Sequence, residues 1–259
     1  MRPPIRLDID APLAALVLDR PDKRNALTHQ MWSAIPGLIG QAVADETVKC
    51  VIIHGSAAGT FAAGQDIAEF ETQYATRAGA DEAGRAIATA LEAVETCAKP
   101  TIAAIDGACV GGGMSLALAC DIRIASTHAR LGITPAKLGL VYPPADMALL
   151  LKQVSPSVAK RVLFTAKIFP AHEAQSLGLV DETVDGAALP AATALAGDIS
   201  AVSQWSVRSI KTMIAGIKSG WTPQTPEAVE LFLEGFENAD HMEGYRAFLE
   251  KRKADFPVR

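Results

Sequence analysis

The chain has only four cysteines in 259 residues, Cys50, Cys97, Cys109 and Cys120, and none is in a C-x-x-C pair. That scarcity argues against a disulfide framework or a cysteine-built zinc site; buried free thiols in a reducing cytosol are the expected state. No long basic run interrupts a net charge of −5. Nucleic acid therefore has no electrostatic footprint to bind, although single basic residues remain for an anionic ligand. No apolar stretch has the length of a membrane span, and the start Met1-Arg-Pro-Pro-Ile-Arg6 carries no leader-like apolar segment. The expectation is a cytoplasmic protein with no membrane partner. Five histidines, at 29, 54, 128, 172 and 241, are scattered without a spacing that marks a hydrolytic triad, and no metal site is expected. Tandem repeats and low-complexity tracts are also missing.

What is present is a pair of glycine turns. The segment Thr101-Ile-Ala-Ala-Ile-Asp-Gly-Ala-Cys-Val-Gly-Gly-Gly-Met-Ser115 reads as a buried strand broken at Gly107, then three glycines, then a helix start. Upstream, Phe61-Ala-Ala-Gly-Gln-Asp-Ile67 follows the apolar run Val51-Ile-Ile53 and leads into another helix-like stretch. A glycine turn at a helix start presents bare backbone N–H groups, and glycine lets a ligand approach closely. Two such turns are able to aim two N–H groups at one oxygen, which is what an oxyanion hole requires.

Strands are predicted at 5–9, 13–18, 48–54, 101–106, 122–125 and 180–184, with helices at 28–45, 81–98, 156–166 and 171–177. The alternation predicts an α/β fold. Thr28 is placed to cap its helix, and Pro36 inside that helix predicts a kink. Beyond about residue 185 only helix-like segments remain. The expected organisation is a core over 1–185 and a helical region over 186–259.

In order and spacing, Phe61-Ala-Ala-Gly-x-Asp-Ile, then Ile-Asp-Gly-x-x-x-Gly-Gly-Gly, then Cys120-Asp-Ile-Arg-Ile-Ala125 resemble the crotonase superfamily, the enoyl-CoA hydratase/isomerase group. The resemblance continues through Phe164-Thr-Ala, Ala174-x-x-x-Gly-Leu-Val180 and the tail from Gly244 to Phe256. It implies a spiral of ββα units whose helical C-terminal region packs in a homotrimer, with trimers pairing into a dimer of trimers. It also implies an acyl-CoA thioester as substrate, with coenzyme A as part of that substrate and no separate cofactor. The implied N–H donors are those of Gln65 and Gly112, with Ala63, Asp66, Ile67, Gly111, Ser115 and Pro135 lining the site. Lys23 and Arg24 match the family loop near the nucleotide, and Lys251 and Phe256 match a tail that approaches CoA, often from a neighbouring subunit.

The carboxylates depart from the pattern. Family hydratases carry glutamate two residues after the glycine triplet, where this chain has Ser115. Their second glutamate falls at the position of Pro135. Neither replacement activates water or protonates carbon at neutral pH, so ordinary hydration is not expected. The stretch Thr134-Pro-Ala-Lys-Leu-Gly-Leu-Val-Tyr142 resembles methylmalonyl-CoA decarboxylase-like members, in which a tyrosine faces the acyl group and a histidine stands at the place of Gln65. Gln65 is able to donate a hydrogen bond to a carboxylate. Tyr142 and Asp146 are the candidate catalytic side chains, with aromatic packing and helix capping as their structural alternatives. Glu69 is a further titratable candidate, with a solvated helix face as its structural alternative. The expected function is enolate stabilisation, with decarboxylase- or isomerase-type chemistry. A CoA-thioester-binding protein without catalysis is the alternative. A dinucleotide fingerprint at the triplet lacks the acidic residue it needs, and a hydrolytic Ser115 lacks a placeable histidine.

Overall fold

The computed structural model describes residues 3–56 and 59–256. Met1 and Arg2, at the head of the segment read for a leader, lie outside the described residues. The strands are β1 (Ile5–Asp10), β2 (Leu13–Leu18), β3 (Cys50–Gly55), β4 (Thr60–Ala62), β5 (Thr101–Ile105), β6 (Ala108–Val110), β7 (Ile122–Ser126), β8 (Arg130–Gly132), β9 (Ile168–Pro170) and β10 (Glu182–Val184). The helices of the first part are α1 (His29–Ala44), α2 (Phe70–Gln73), α3 (Arg77–Glu95), α4 (Gly112–Ala119), α5 (Pro144–Gln153), α6 (Pro156–Thr165) and α7 (Ala171–Ser176). Then come α8 (Ala188–Ser200), α9 (Gln204–Lys218), α10 (Pro226–Glu237) and α11 (Ala239–Glu250).

Six strands form one sheet in the order β1-β2-β3-β5-β7-β10. The β1–β2 pair is antiparallel, and the rest pair in parallel. Side chains alternate faces along a strand, and both faces of the inner strands β2, β3 and β5 are covered, so these read as apolar runs, whereas the edge strand β1 alternates. Val51, Ile53, Ala103 and Ile105 face α1, α3 and α4 in the main core. Their neighbours Cys50, Ile52, Ile102 and Ala104 face the opposite way, against Ala188, Ala192 and Ala196 of α8. The first helix after residue 185 thus closes the second face of the sheet. Only α9, α10 and α11 form the outlying helical part. Their apolar residues Ile210, Phe232, Phe236 and Phe248 are exposed.

The second sheet, β4-β6-β8-β9, is what positions the site. The sequence reading put the first glycine turn after the apolar run Val51-Ile-Ile53 and the second after a buried strand broken at Gly107. Instead, each turn follows a short additional strand, β4 or β6. Gly107 makes this possible. Its φ is +54°, and a Cβ there would lie 1.7 Å from the carbonyl oxygen of Gly59, so only glycine lets β6 cross β4 so closely. β4 and β6 are adjacent and parallel, with Ala62 opposite Cys109. Their C-terminal ends therefore meet at one edge, and so do the two turns.

Two helix boundaries differ from expectation. α3 begins at Arg77, with the Thr76 hydroxyl accepting from Gly79 N at 3.1 Å, because a glycine in the first turn hid the start. α5 was not anticipated, since its Tyr-Pro-Pro start resembles a loop. Pro144 occupies its first position, where a missing N–H costs nothing. Thr28 caps α1 as read, accepting from Met31 N. All four cysteines are buried and free.

Candidate functional site

The first turn is pinned from both sides. Leu27 N donates to Gly64 O at 2.8 Å, and Asp66 N donates to Leu27 O at 2.9 Å. Between these bonds the N–H of Gln65 has no partner among the described residues. Gly64 has a φ of +107°, and a Cβ there would meet Val110 O at 3.0 Å. The second turn is pinned by Gly111 N, which donates to Gly132 O at 2.9 Å. Gly111 has φ +54° and ψ −117°, a combination open essentially to glycine alone. Gly112 then opens the eight-residue α4, and its N–H is one of the donors that a helix start leaves unpaired. The two turns touch. A Cβ built on Gly112 would lie 3.7 Å from Gln65 N, and one on Gly113 would lie 2.5 Å from Ala62 O. Two free N–H groups thus stand side by side at the positive end of a helix.

The Gln65 side chain is oriented by Trp32, which the sequence reading missed. Trp32 Nε1 donates to Gln65 Oε1 at 2.8 Å. An indole N–H only donates, so the amide must turn its oxygen toward it. That leaves Nε2 buried and without a partner among the described residues. Trp32 is itself fully buried. In sequence it is one apolar residue in the core stripe of α1, so nothing distinguished it.

One turn further along α4, Ser115 shares the face of Gly112. Its Oγ lies 2.7 Å from Tyr142 Oη and also hydrogen-bonds Asp146 Oδ1. All three residues are buried. Asp146 is not a helix cap: Pro143 holds that position, and the carboxyl points inward from the first turn of α5. Its Oδ2 has no partner among the described residues. Burial raises the carboxyl above the usual carboxylate range, with the Ser115 hydrogen bond opposing. The Tyr142 phenol is pushed well above its ordinary value by burial first and by Asp146 second. A second residue not foreseen, Tyr74 just after α2, is raised by burial and then by Glu69 and Asp146.

The remaining candidates divide by place. Asp66 accepts from Ala68 N and pairs with Arg20 at 2.9 Å. Burial works against the charge, but the hydrogen bonds from Arg20 and from Ala68 N hold the carboxyl below its usual range. Arg20 also donates to Ala26 O, shaping the 20–27 loop. Lys23 and Arg24 are exposed on that loop, and Arg24 O accepts from Ala63 N at 3.0 Å, so the loop adjoins the first turn. Ile67 is exposed at the same turn, and Pro135 is half-buried in the 3-10 turn Pro135–Leu138. Glu69 is not a solvated face: it is half-buried and accepts from His29 N at 2.8 Å, at the start of α1. Lys251 and Phe256 are not brought to the turns within one chain. Lys251 is the exposed residue ending α11, and Phe256 lines an apolar groove of about 740 Å³ with Trp205, Phe232 and Phe248. No group of three metal-ligating side chains and no helix long and apolar enough to cross a membrane occurs among the described residues.

Comparison with known proteins agrees with this architecture. The family model described as enoyl-CoA hydratase/isomerase matches residues 8–259. The chain is 35% identical to a crotonyl-CoA hydratase of Syntrophomonas wolfei, over 97% of each chain. A crystal structure of an enoyl-CoA hydratase/isomerase family protein from Hyphomonas neptunium superposes with a TM-score of 0.97 and 58% identity, covering 99% of this chain and 98% of that one. An enoyl-CoA hydratase/carnithine racemase from Magnetospirillum magneticum gives a TM-score of 0.94 at 31% identity, over 100% of this chain and 97% of that one. With paired glycine turns at the ends of adjacent parallel strands and a family match over nearly its whole length, the chain belongs to the enoyl-CoA hydratase/isomerase family of the crotonase superfamily.

Proposed function

We propose that the protein binds an acyl-CoA thioester and stabilises the thioester enolate between the N–H groups of Gln65 and Gly112. The observation that carries this reading is the pair of unpartnered N–H groups on touching turns, the kind of donors that an oxyanion hole uses. The favoured chemistry is decarboxylation or double-bond migration, not ordinary hydration. Ser115 and Pro135 occupy the places of the hydratase glutamates, and neither activates water. In a decarboxylation, the electrons of the breaking C–C bond become the enolate, carbon dioxide leaves, and the α-carbon then takes a proton. The unpaired Gln65 Nε2 supplies a donor for a substrate carboxylate, held in direction by Trp32. Lys23 and Arg24 suit the phosphates of CoA. The exposed apolar faces of α9 to α11 suit a homotrimer, in which Lys251 and Phe256 would approach the CoA of a neighbouring subunit. The dimer of trimers is a further assembly of the same kind.

The test pairs calorimetric binding of CoA thioesters with mass spectrometry of products from malonyl-, methylmalonyl- and enoyl-CoA. Turnover is expected with a carboxylated or double-bond-migrating substrate, and Gly112→Pro is expected to remove about 3 kcal/mol of transition-state stabilisation while CoA still binds. Crotonyl-CoA hydration with a turnover number on the order of 10² per second would refute the chemistry. Binding without any turnover would leave a CoA-thioester-binding protein.

A further inference from the structure

We propose that Asp146, Ser115 and Tyr142 form a proton relay, with Asp146 as the proton store, Ser115 as the link and Tyr142 as the donor to the α-carbon of the bound enolate. The inference rests on the enolate reading above and goes beyond it by assigning the proton source.

The argument is hydrogen-bond arithmetic. The Ser115 hydroxyl has one proton and touches Tyr142 Oη and Asp146 Oδ1, with the Gly111 carbonyl, a weaker acceptor, farther off at 3.3 Å. If Asp146 is a carboxylate it only accepts. Ser115 must then donate to Asp146 and accept from Tyr142, and the phenol proton is committed inward. If Asp146 carries a proton on Oδ1, the oxygen that meets Ser115, the chain is able to reverse. Asp146 donates to Ser115, Ser115 donates to Tyr142, and the phenol O–H is released from Ser115 to donate elsewhere. The surroundings favour the second state. Asp146 is 3% exposed, and its Oδ2 has no partner among the described residues. A carboxylate there would be poorly solvated. The Ser115 hydroxyl from α4 bonds Asp146, and the Tyr142 phenol lies on the other side of Ser115; the Tyr74 phenol is within electrostatic reach of both Asp146 and Glu69, and Cys109 within reach of Tyr142. Among the described residues Asp146 forms no ion pair, and its only side-chain hydrogen-bond partner is the Ser115 hydroxyl.

The transfer balances. The Tyr142 O–H bond breaks as a C–H bond forms at the α-carbon, using the enolate electron pair, and the thioester carbonyl re-forms. The Ser115 proton passes to Tyr142 Oη, and the Asp146 proton passes to Ser115 Oγ. Asp146 ends as the carboxylate, and the hydrogen bonds end in the inward orientation. Tyr142 is the catalytic residue; Ser115 and Asp146 act through it. Placement agrees, because Ser115 lies one turn along α4 from Gly112, on the same face.

The probe is butyryl-CoA in deuterated buffer, with α-carbon deuterium read by mass spectrometry. Exchange runs the relay backward from the ionised form of Asp146, then forward with a solvent deuteron. Ser115→Ala and Asp146→Asn are each expected to slow exchange roughly 10²-fold, with butyryl-CoA affinity unchanged. The double variant is expected to be no slower than either single one, because the links act in series. Infrared spectroscopy of the ligand-free protein at neutral pH should show a protonated carboxyl stretch that disappears in Asp146→Asn. The relay is overturned by near wild-type exchange in either single variant, by multiplicative losses in the double variant, or by absence of that stretch. It is also overturned if the wild type binds butyryl-CoA and exchanges nothing. Failure to bind both CoA and butyryl-CoA would instead overturn the CoA-thioester reading beneath it.

Discussion

Gly113→Ala isolates the alignment of the two turns from every side chain of the site. Gly113 lies in ordinary helical backbone, so alanine meets no dihedral strain and would even favour the helix. Its Cβ, however, would sit 2.5 Å from Ala62 O and 2.8 Å from the Ala62 methyl. Neither is the end of a flexible side chain, so the start of α4 must move away from β4. Relieving the contact to 3.0 Å takes at least half an ångström, and a comfortable contact takes more. That motion carries the N–H of Gly112 away from the N–H of Gln65. A misplacement of about 1 Å costs roughly 10²-fold in rate, equivalent to about 2.7 kcal/mol. Overpacking a buried turn should cost about 1–3 kcal/mol of stability as well. The assay is kcat/KM on the best acyl-CoA, with CoA affinity by calorimetry and unfolding by denaturant. The expected pattern is a large fall in kcat/KM with nearly intact CoA affinity in a folded protein. A folded Gly113→Ala with wild-type kcat/KM would refute the claim that the spacing of the two N–H groups sets the chemistry.

Two further outcomes follow from the buried polar groups. Trp32→Phe leaves Gln65 Oε1 without its donor and is expected to cost about 1–3 kcal/mol in denaturant unfolding, plus a contribution from the smaller ring. The cost should fall by at least about 0.5 kcal/mol when Gln65 is already methionine, and an additive double-mutant cycle would contradict the bond. Asp146 has a folded-state pKa above its unfolded value, so the folded state binds the proton more tightly. The stability of the wild type relative to Asp146→Asn should therefore decline as pH rises from about 3.9, the unfolded value, toward the raised folded value. Denaturant midpoints of both proteins across that range check the sign, and a wild type that gains on Asp146→Asn would refute it.

Much of the candidate site was legible in sequence as residue identity, for a physical reason. Gly64, Gly107, Gly111 and Gly113 are demanded by positive φ or by backbone contacts that leave no room for a Cβ. Such demands are met only by glycine, so they show as residue identity. Apolar runs and the Thr28 and Asp66 caps are local in the same way. The absence of carboxylate at positions 115 and 135 is likewise a fact of sequence. What the linear chain could not convey is how β4 and β6 pair to bring both turns to one edge, since each strand is only three residues long. Nor could it reveal that Trp32 faces Gln65 across 33 positions, or that Asp146 turns inward to meet Ser115 across 31. A carboxyl after two prolines looks like a turn or a cap on local grounds. Only the packing of α5 against α4 removes it from water, and that desolvation, not the residue type, gives Asp146 its unusual proton affinity.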